Sequence, residues 1–290
     1  MVIQFASNFL LTFILLYFYL SKLNYNFLFD KNPLGLGSKK ETKTGSGIVF
    51  SIIIVINSIY YFFDQNFLDL LPNRFYVFII SIALLSIISF FDDIKPIDPR
   101  LRLIVQIVVI YFSLTLIDLY YFVLPLKLII FLYLCFWIYI TNITNFIDGS
   151  DGYLSINAIS FSLGIIIINQ FLPDIFFSYQ LVIILLPILL SFIYFNKPKA
   201  KLYMGDTGSI LIGYIFGFCL LEILSSKYWY LCISLYSYVI LDCSLTKLKK
   251  ILYGKSVFNR NFSYFFQIPI KKLQKNNYKV LGISIIYNLI

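Results

Sequence analysis

The sequence predicts an all-α, polytopic membrane protein of about nine to ten transmembrane helices, and three observations predict it. Of 290 residues, 60% are hydrophobic and only 13% are charged, leaving far less polar surface than a soluble domain carries. Apolar runs of about 17–25 residues, the length that crosses a bilayer, recur along nearly the whole chain. Segments such as 75–91 and 210–221 are apolar in both registers. A membrane β-barrel would instead alternate over about ten residues per strand.

The elements follow in order. No basic residue precedes 2–20 and no small-x-small cleavage site follows it, so it reads as a retained helix. The spans 47–63 and 75–91 are separated by a segment holding Asp64, Asp69 and Arg74, and Asp92-Asp93 closes the second. Arg100 and Arg102 precede 103–119, and Asp118 lies at its far end. Lys127 opens 127–142, and an Asn/Asp/Gly-rich stretch separates it from 153–170. Asp174 lies before 180–195, the lysines 197, 199 and 201 lie after it, and Asp206 precedes 208–223. Lys227 stands before 228–245. The last apolar stretch, 280–290, is short and reads as a truncated, tilted or interfacial tenth segment. All of this is expected to form a single transmembrane domain, 1–290.

Loop charge sets the expected orientation. Loops 21–46, 92–102, 143–152, 196–207 and 246–279 carry 5, 3, 0, 3 and 9 Lys and Arg, 20 of the chain's 23. The positive-inside rule places these loops in the cytoplasm and the N-terminus outside. The net charge of +9 thus belongs to a membrane surface rather than to a nucleic-acid site. The four cysteines form no C-x-x-C pair and read as packing residues.

Three acidic clusters stand out in so apolar a chain. They are Phe91-Asp92-Asp93, the stretch from Asn142 through Asn145, Asp148 and Asp151 to Gly152, and Met204-Gly205-Asp206-Thr207-Gly208-Ser209. They hold five of the fourteen Asp and Glu residues, and the expected topology puts all three on one face. Adjacent Asp92 and Asp93 need a cation nearby and suit either Mg²⁺ binding or proton abstraction. Asn142, Asn145 and Asp148 share a face if their stretch stays helical, and such oxygen ligands suit Mg²⁺ with a phosphate-bearing substrate. Asp206 reads equally as a helix-capping residue. The lysines 197, 199 and 201 can attract an anion or simply hold their loop inside. Arg100 and Arg102 can meet lipid phosphate or serve as topology anchors.

Several function classes fall away. The chain has no histidine, which excludes a Ser-His-Asp or Cys-His hydrolase and a His-ligated zinc site. It lacks a P-loop and an EF-hand ligand pattern. Ionisable groups are nearly absent from mid-membrane positions, which disfavours a transporter or proton relay.

In order and content, these motifs resemble the polyprenyl-phosphate sugar-1-phosphate transferases, glycosyltransferase family 4. Phe91-Asp92-Asp93 is similar to that family's Asp-Asp motif. Asn142-x-x-Asn145-Phe-x-Asp148-Gly-x-Asp151-Gly and Met204-Gly-Asp206-Thr-Gly-Ser209 resemble its second and third motifs. Thr42-Lys-Thr44-Gly-Ser-Gly47-Ile and Asp242 are fainter matches, and Lys39 falls where the family has a substrate-contacting lysine. The family's His-x-x-His-type motif is replaced by Asn261-Phe-Ser-Tyr264-Phe-Phe-Gln267.

The resemblance implies a reaction. A UDP-activated amino sugar (a UDP-N-acetylhexosamine) and undecaprenyl or another polyprenyl phosphate give the polyprenyl-diphosphate sugar and UMP. The expected cofactor is Mg²⁺, or Mn²⁺ in its place. Asp206 with Asn145 would ligate the metal, assisted by Asp92 or Asp93. Asp92, Asp93 and Asp148 are the expected catalytic residues. Asp151 and Tyr203 would contact the uracil, while Lys39, Thr44 and Asn142 would complete the substrate site. The expected setting is a bacterial inner membrane, with the site facing the cytoplasm, a lipid bilayer around it and no nucleic acid. The resemblance leaves a homodimer open, and it leaves direct attack and a covalent carboxyl-phosphate intermediate as alternatives. Without the histidines, the surface-polysaccharide branch is the expected pathway. The alternative is a catalytically impaired relative that binds lipid or a partner enzyme.

Overall fold

A computed structural model describes residues 2–22, 28–30, 42–63, 75–117, 125–171, 176–226, 228–254 and 264–265. Among these, nine α-helices carry the fold: α1 (Val2–Lys22), α2 (Gly47–Phe63), α3 (Phe75–Ile94), α4 (Pro99–Ser113), α5 (Leu126–Ile147), α6 (Tyr153–Phe171), α7 (Phe176–Asn196), α8 (Gly205–Leu224) and α9 (Leu231–Leu252). Eight spans are long and apolar enough to cross a membrane, and Gly47–Tyr60 is a shorter apolar helix. The protein is an all-α polytopic membrane protein, as expected. The described residues add a two-residue antiparallel ladder, β1 (Phe29–Asp30) with β2 (Thr42–Lys43), and a 3-10 turn at Leu114–Leu116. The expected stretch 280–290 lies outside the described residues.

Several helix limits differ from the expected spans, among them the end of α9 at Leu252 rather than 245 and four limits beside the acidic motifs. Helix α4 starts at Pro99, not near 103. Asp98 accepts the Arg100 N–H at 2.8 Å and Pro99 sits in the first turn, a favourable N-terminus because proline lacks the donor that would go unpaired there. Helix α5 runs on to Ile147 instead of stopping at 142. Helix α3 extends through Ile94 and α8 begins at Gly205. Asp92, Asp93, Asn142, Asn145 and Asp206 therefore sit on helix ends rather than in loops.

Helix α8 is the central column. In its apolar window 89% of residues are buried, against 22% in α1 and 28% in α4 and α9, so those three form the periphery. Apolarity alone cannot centre a helix in lipid, where close packing and polar contacts take over. Small residues permit that packing. A Cβ added to Gly213 would lie 2.7 Å from the Thr141 carbonyl oxygen, and one on Gly217 would lie 2.1 Å from Trp137 Cδ1. Trp137 also donates its Nε1–H to the Tyr214 carbonyl at 2.8 Å. Buried hydroxyls link further helices: Ser113 meets Ser81 at 3.0 Å and the Tyr214 hydroxyl at 2.8 Å. On the flank, Asn8 of α1 and Asn57 of α2 exchange amide hydrogen bonds at 2.9 and 3.1 Å.

Candidate active site

The ends of α3, α4, α5 and α8 meet at one place. Gly205 has a left-handed φ of +71°, and a Cβ there would lie 2.4 Å from Asp93 Oδ2. This turn aims the first N–H groups of α8 at Asp93. Asp93 Oδ1 accepts from the Asp206 N–H at 2.8 Å, and Oδ2 accepts from Thr207 N–H at 3.1 Å and Thr207 Oγ1 at 2.6 Å. A carboxylate from α3 thus caps the N-terminus of α8, where the helix dipole favours negative charge. Asp93 fixes the direction in which Asp206 points.

Asp92 faces elsewhere. Its Oδ1 accepts the Ile97 N–H at 2.6 Å, and its Oδ2 pairs with Arg102 Nη1. The same Nη1 pairs with Asp206 Oδ2. Asp206 Oδ1 accepts from Asn145 Nδ2 at 2.9 Å, and Asn145 also donates to Ser209 Oγ at 2.8 Å. One turn further in, Asn142 donates to Gln106 Oε1 at 2.8 Å. Asn142 and Asn145 therefore share a face, as helical spacing requires. Arg102 and Gln106 share the inward face of α4, whose buried positions are Gln106, Val109, Ile110 and Ser113.

Asp148 closes α5, with its N–H bonded to the Asn145 carbonyl at 3.3 Å. Burial, and then the negative charges of Asp206, Asp93 and Asp151, push its carboxyl well above the usual range. Asp151 holds the next turn. Its Oδ2 accepts the N–H of Lys199 at 3.0 Å and of Ala200 at 3.3 Å, and its Oδ1 accepts the Tyr203 hydroxyl at 3.2 Å. Tyr203 in turn joins the β2 segment: its N–H donates to the Lys43 carbonyl at 2.8 Å, and Ser46 Oγ donates to the Tyr203 carbonyl at 2.9 Å. Thr44 lies beside this junction, donating its N–H to the Leu28 carbonyl at 2.8 Å and accepting from the Tyr19 hydroxyl at 2.7 Å. Lys39 lies outside the described residues.

The profile of glycosyl transferase family 4 matches residues 75–224, just over half of the chain and the part that holds all three acidic motifs. This chain belongs to glycosyl transferase family 4. The family is that of the polyprenyl-phosphate sugar-1-phosphate transferases expected from the motifs. The chain is 36% identical over 92 residues to the phospho-N-acetylmuramoyl-pentapeptide-transferase of Leuconostoc citreum, covering 30% of this chain and 28% of that one. It is 29% identical over 199 residues to the enzyme of that name from Streptococcus agalactiae, covering 61% of this chain and 58% of the relative. A Streptococcus pneumoniae relative of the same name is 28% identical over 196 residues, with the same coverage. The chain thus spans less than two thirds of the length of these relatives.

In this family 4 chain, no group of three or more Asp, Glu, Cys or His side chains converges as a metal cage among the described residues. Asp206, Asn145 and Asp92 do gather at these helix ends, Asn145 through its amide nitrogen and Asp92 through the Arg102 it shares with Asp206. That set fits Mg²⁺, which keeps several water or phosphate oxygens and takes few protein ligands. A cationic nitrogen, Arg102 Nη1, already bridges two of the three. For Asn145 to serve as a ligand, its carbonyl oxygen must take the place its Nδ2 now holds.

Sequence reasoning left Arg102 between a lipid-phosphate contact and a topology anchor, named Thr207 and Ser209 in the third motif without giving either a role, and overlooked Gln106 and Asn196. The only signal for Arg102 and Gln106 was their i, i+4 spacing on a helix otherwise facing lipid. Asn196 ties three segments together, accepting from Gly152 N–H at 3.0 Å and Ser155 Oγ at 2.9 Å and donating to the Leu202 carbonyl at 3.0 Å. Of the stretch that replaces the histidine motif, Tyr264 is buried while the Phe265 side chain is exposed, its N–H donating to Asp242 Oδ1 at 2.9 Å.

Asp151 explains an otherwise strained residue in this family 4 chain. Lys199 has φ +68°, a left-handed conformation costly for a side chain with a Cβ. Asp151→Ala removes the acceptor that holds it. The expected result is about tenfold faster amide exchange across 199–203, with the interior of α8 unchanged. Hydrogen–deuterium exchange checks this, and unaltered protection of 199–203 would show that the turn stands without Asp151.

Proposed function

We propose that this chain transfers a sugar-1-phosphate from a UDP-activated amino sugar to polyprenyl phosphate, releasing UMP, at the cytoplasmic face of a bacterial inner membrane. The supporting observation is the meeting of Asp92, Asp206, Asn145 and Arg102 at the ends of four helices. The lipid phosphate lies at the membrane surface and the nucleotide sugar arrives from the cytosol, so a site at helix ends is reached by both. An excess of Lys and Arg in the loops on that side supports the orientation.

In this reading, an oxygen of the lipid phosphate attacks the sugar-bearing phosphorus. The new P–O bond forms as the bond to the bridging oxygen of UMP breaks. Such reactions depend on positioning and charge neutralisation more than on covalent help from the protein. Asp206 with Asn145 and Asp92 would hold Mg²⁺, which supplies neutralisation of the diphosphate charge when bound. Asp93 anchors the first turn of α8 and so sets the direction of Asp206. Asp148, whose carboxyl burial and the neighbouring carboxylates push well above the usual carboxylate range, lies beside Asp206 and would border the diphosphate. Asp151 and Tyr203 form one hydrogen-bonded unit beside Thr44 and would border the nucleotide.

The product would initiate a cell-surface polysaccharide. The relatives' names include an N-acetylmuramoyl-pentapeptide group, so that donor belongs in the test beside the UDP-N-acetylhexosamines. Purified protein in nanodiscs is given polyprenyl phosphate, Mg²⁺ and each radiolabelled donor. The expected result is labelled lipid with equimolar UMP from at least one donor. No product from any donor would leave the non-catalytic lipid- or partner-binding reading in its place.

A further inference from the structure

We propose that Arg102 is the built-in counter-cation of this site: its guanidinium holds Asp92 and Asp206 together until a divalent metal takes the same two carboxylates. The inference rests on the metal-dependent reading above and adds a competition within it. One nitrogen, Nη1, pairs with Asp92 Oδ2 and with Asp206 Oδ2. These oxygens come from α3 and α8, so a single cation joins two helices.

The other oxygens of Asp92 and Asp206, and both oxygens of Asp93, are engaged. Asp92 Oδ1 takes the Ile97 N–H, Asp206 Oδ1 takes Asn145 Nδ2, and both oxygens of Asp93 take donors from α8. Of the oxygens of Asp92, Asp93 and Asp206, the two Oδ2 atoms that take Arg102 are what this arrangement offers to a cation. The Asp92 and Arg102 side chains are 11% and 26% exposed, so water screens their pairing only in part. Arginine does not leave such a pair by losing its proton. A metal must therefore displace it, and the affinity of the substrate-free protein for metal is lowered by the fraction of time the guanidinium stays in place. Once displaced, the guanidinium is an unpaired cation beside the reaction centre, suited to phosphate oxygens. Metal and phosphate-bearing substrate then favour each other's binding.

The test uses Mn²⁺ alone as the probe, titrated into the purified full chain without substrate and followed by loss of the free-ion EPR signal. Arg102→Gln is expected to bind Mn²⁺ about tenfold more tightly than the unaltered protein, because a positive charge beside both carboxylates is gone. Arg102→Lys, with one compact charge and no fork, should fall between them. Asp206→Asn should lose the binding in either background, which ties the signal to this site. Size-exclusion profiles and thermal midpoints establish that each variant is folded, and Arg102→Lys carries the test if Arg102→Gln is not. Equal or weaker Mn²⁺ binding by the arginine variants, with the Asp206 dependence intact, overturns the competition and leaves the metal site standing. Absence of any Asp206-dependent Mn²⁺ binding overturns the metal reading and this proposal together.

Discussion

Asp206→Asn is expected to lower sugar-phosphate transfer by about 10³-fold or more while leaving a folded protein. The substitution keeps the size of the side chain and an oxygen able to accept from Asn145 or Arg102. It removes the negative charge that a divalent cation needs. The α8 cap is preserved, because Asp93 bonds to the backbone of residues 206 and 207 and to the Thr207 hydroxyl. Stability and activity should therefore separate: a thermal midpoint close to the unaltered protein, with almost no UMP release. Activity within tenfold of the starting enzyme would remove Asp206 from the reaction centre.

The second large effect is on folding. A Cβ at Gly47 would lie 2.1 Å from the Gly208 nitrogen, 2.3 Å from its Cα and 2.8 Å from the Met204 carbonyl oxygen. All three are backbone atoms, so no rotamer change relieves the clash. Gly47→Ala must push α2 off α8 and stretch the Gly47 N–H bond to Met204, now 2.9 Å. The expected cost is roughly 3 kcal/mol or more, the upper end for overpacking a tight contact. Gly254→Ala is the internal comparison. Nothing lies within 4 Å of its Cβ, and only its φ of +64° is unfavourable, so about 1 kcal/mol is expected. Thermal unfolding in one detergent checks both, and similar midpoints for the two variants would refute the close-contact argument.

How much of this was legible beforehand depends on the kind of interaction. The apolar runs and the three acidic motifs could be read directly, because a bilayer-length run and a local turn are properties of consecutive residues. The division of labour between Asp92 and Asp93 could not. Neighbouring residues on a helix point about 100° apart, so the two carboxylates cannot both face one cation. Which of them turns to α8 depends on how α3 is rotated in the bundle. Arg102 was ambiguous for a related reason: its partners lie 10 and 104 positions away, and only the second tells a site from a surface anchor. The start of α4 was misplaced because an apolar-run criterion overlooks polar first turns. Here, Asp98-Pro99 begins the helix ahead of the apolar stretch.

Helix α8 is shielded from lipid on nearly every side, whereas α4 presents Leu103, Ile104, Ile107 and Val108 outward. Asp206 and Arg102 are thus carried by one insulated helix and one whose apolar side chains face outward. A mismatch between bilayer thickness and apolar length is met in part by helix tilt, which close packing against neighbours resists. Such a tilt acts on the guanidinium side of the Arg102–Asp206 pair before it reaches the carboxylate side. Membrane composition then becomes a mechanical input to the chemistry, delivered through the length of α4.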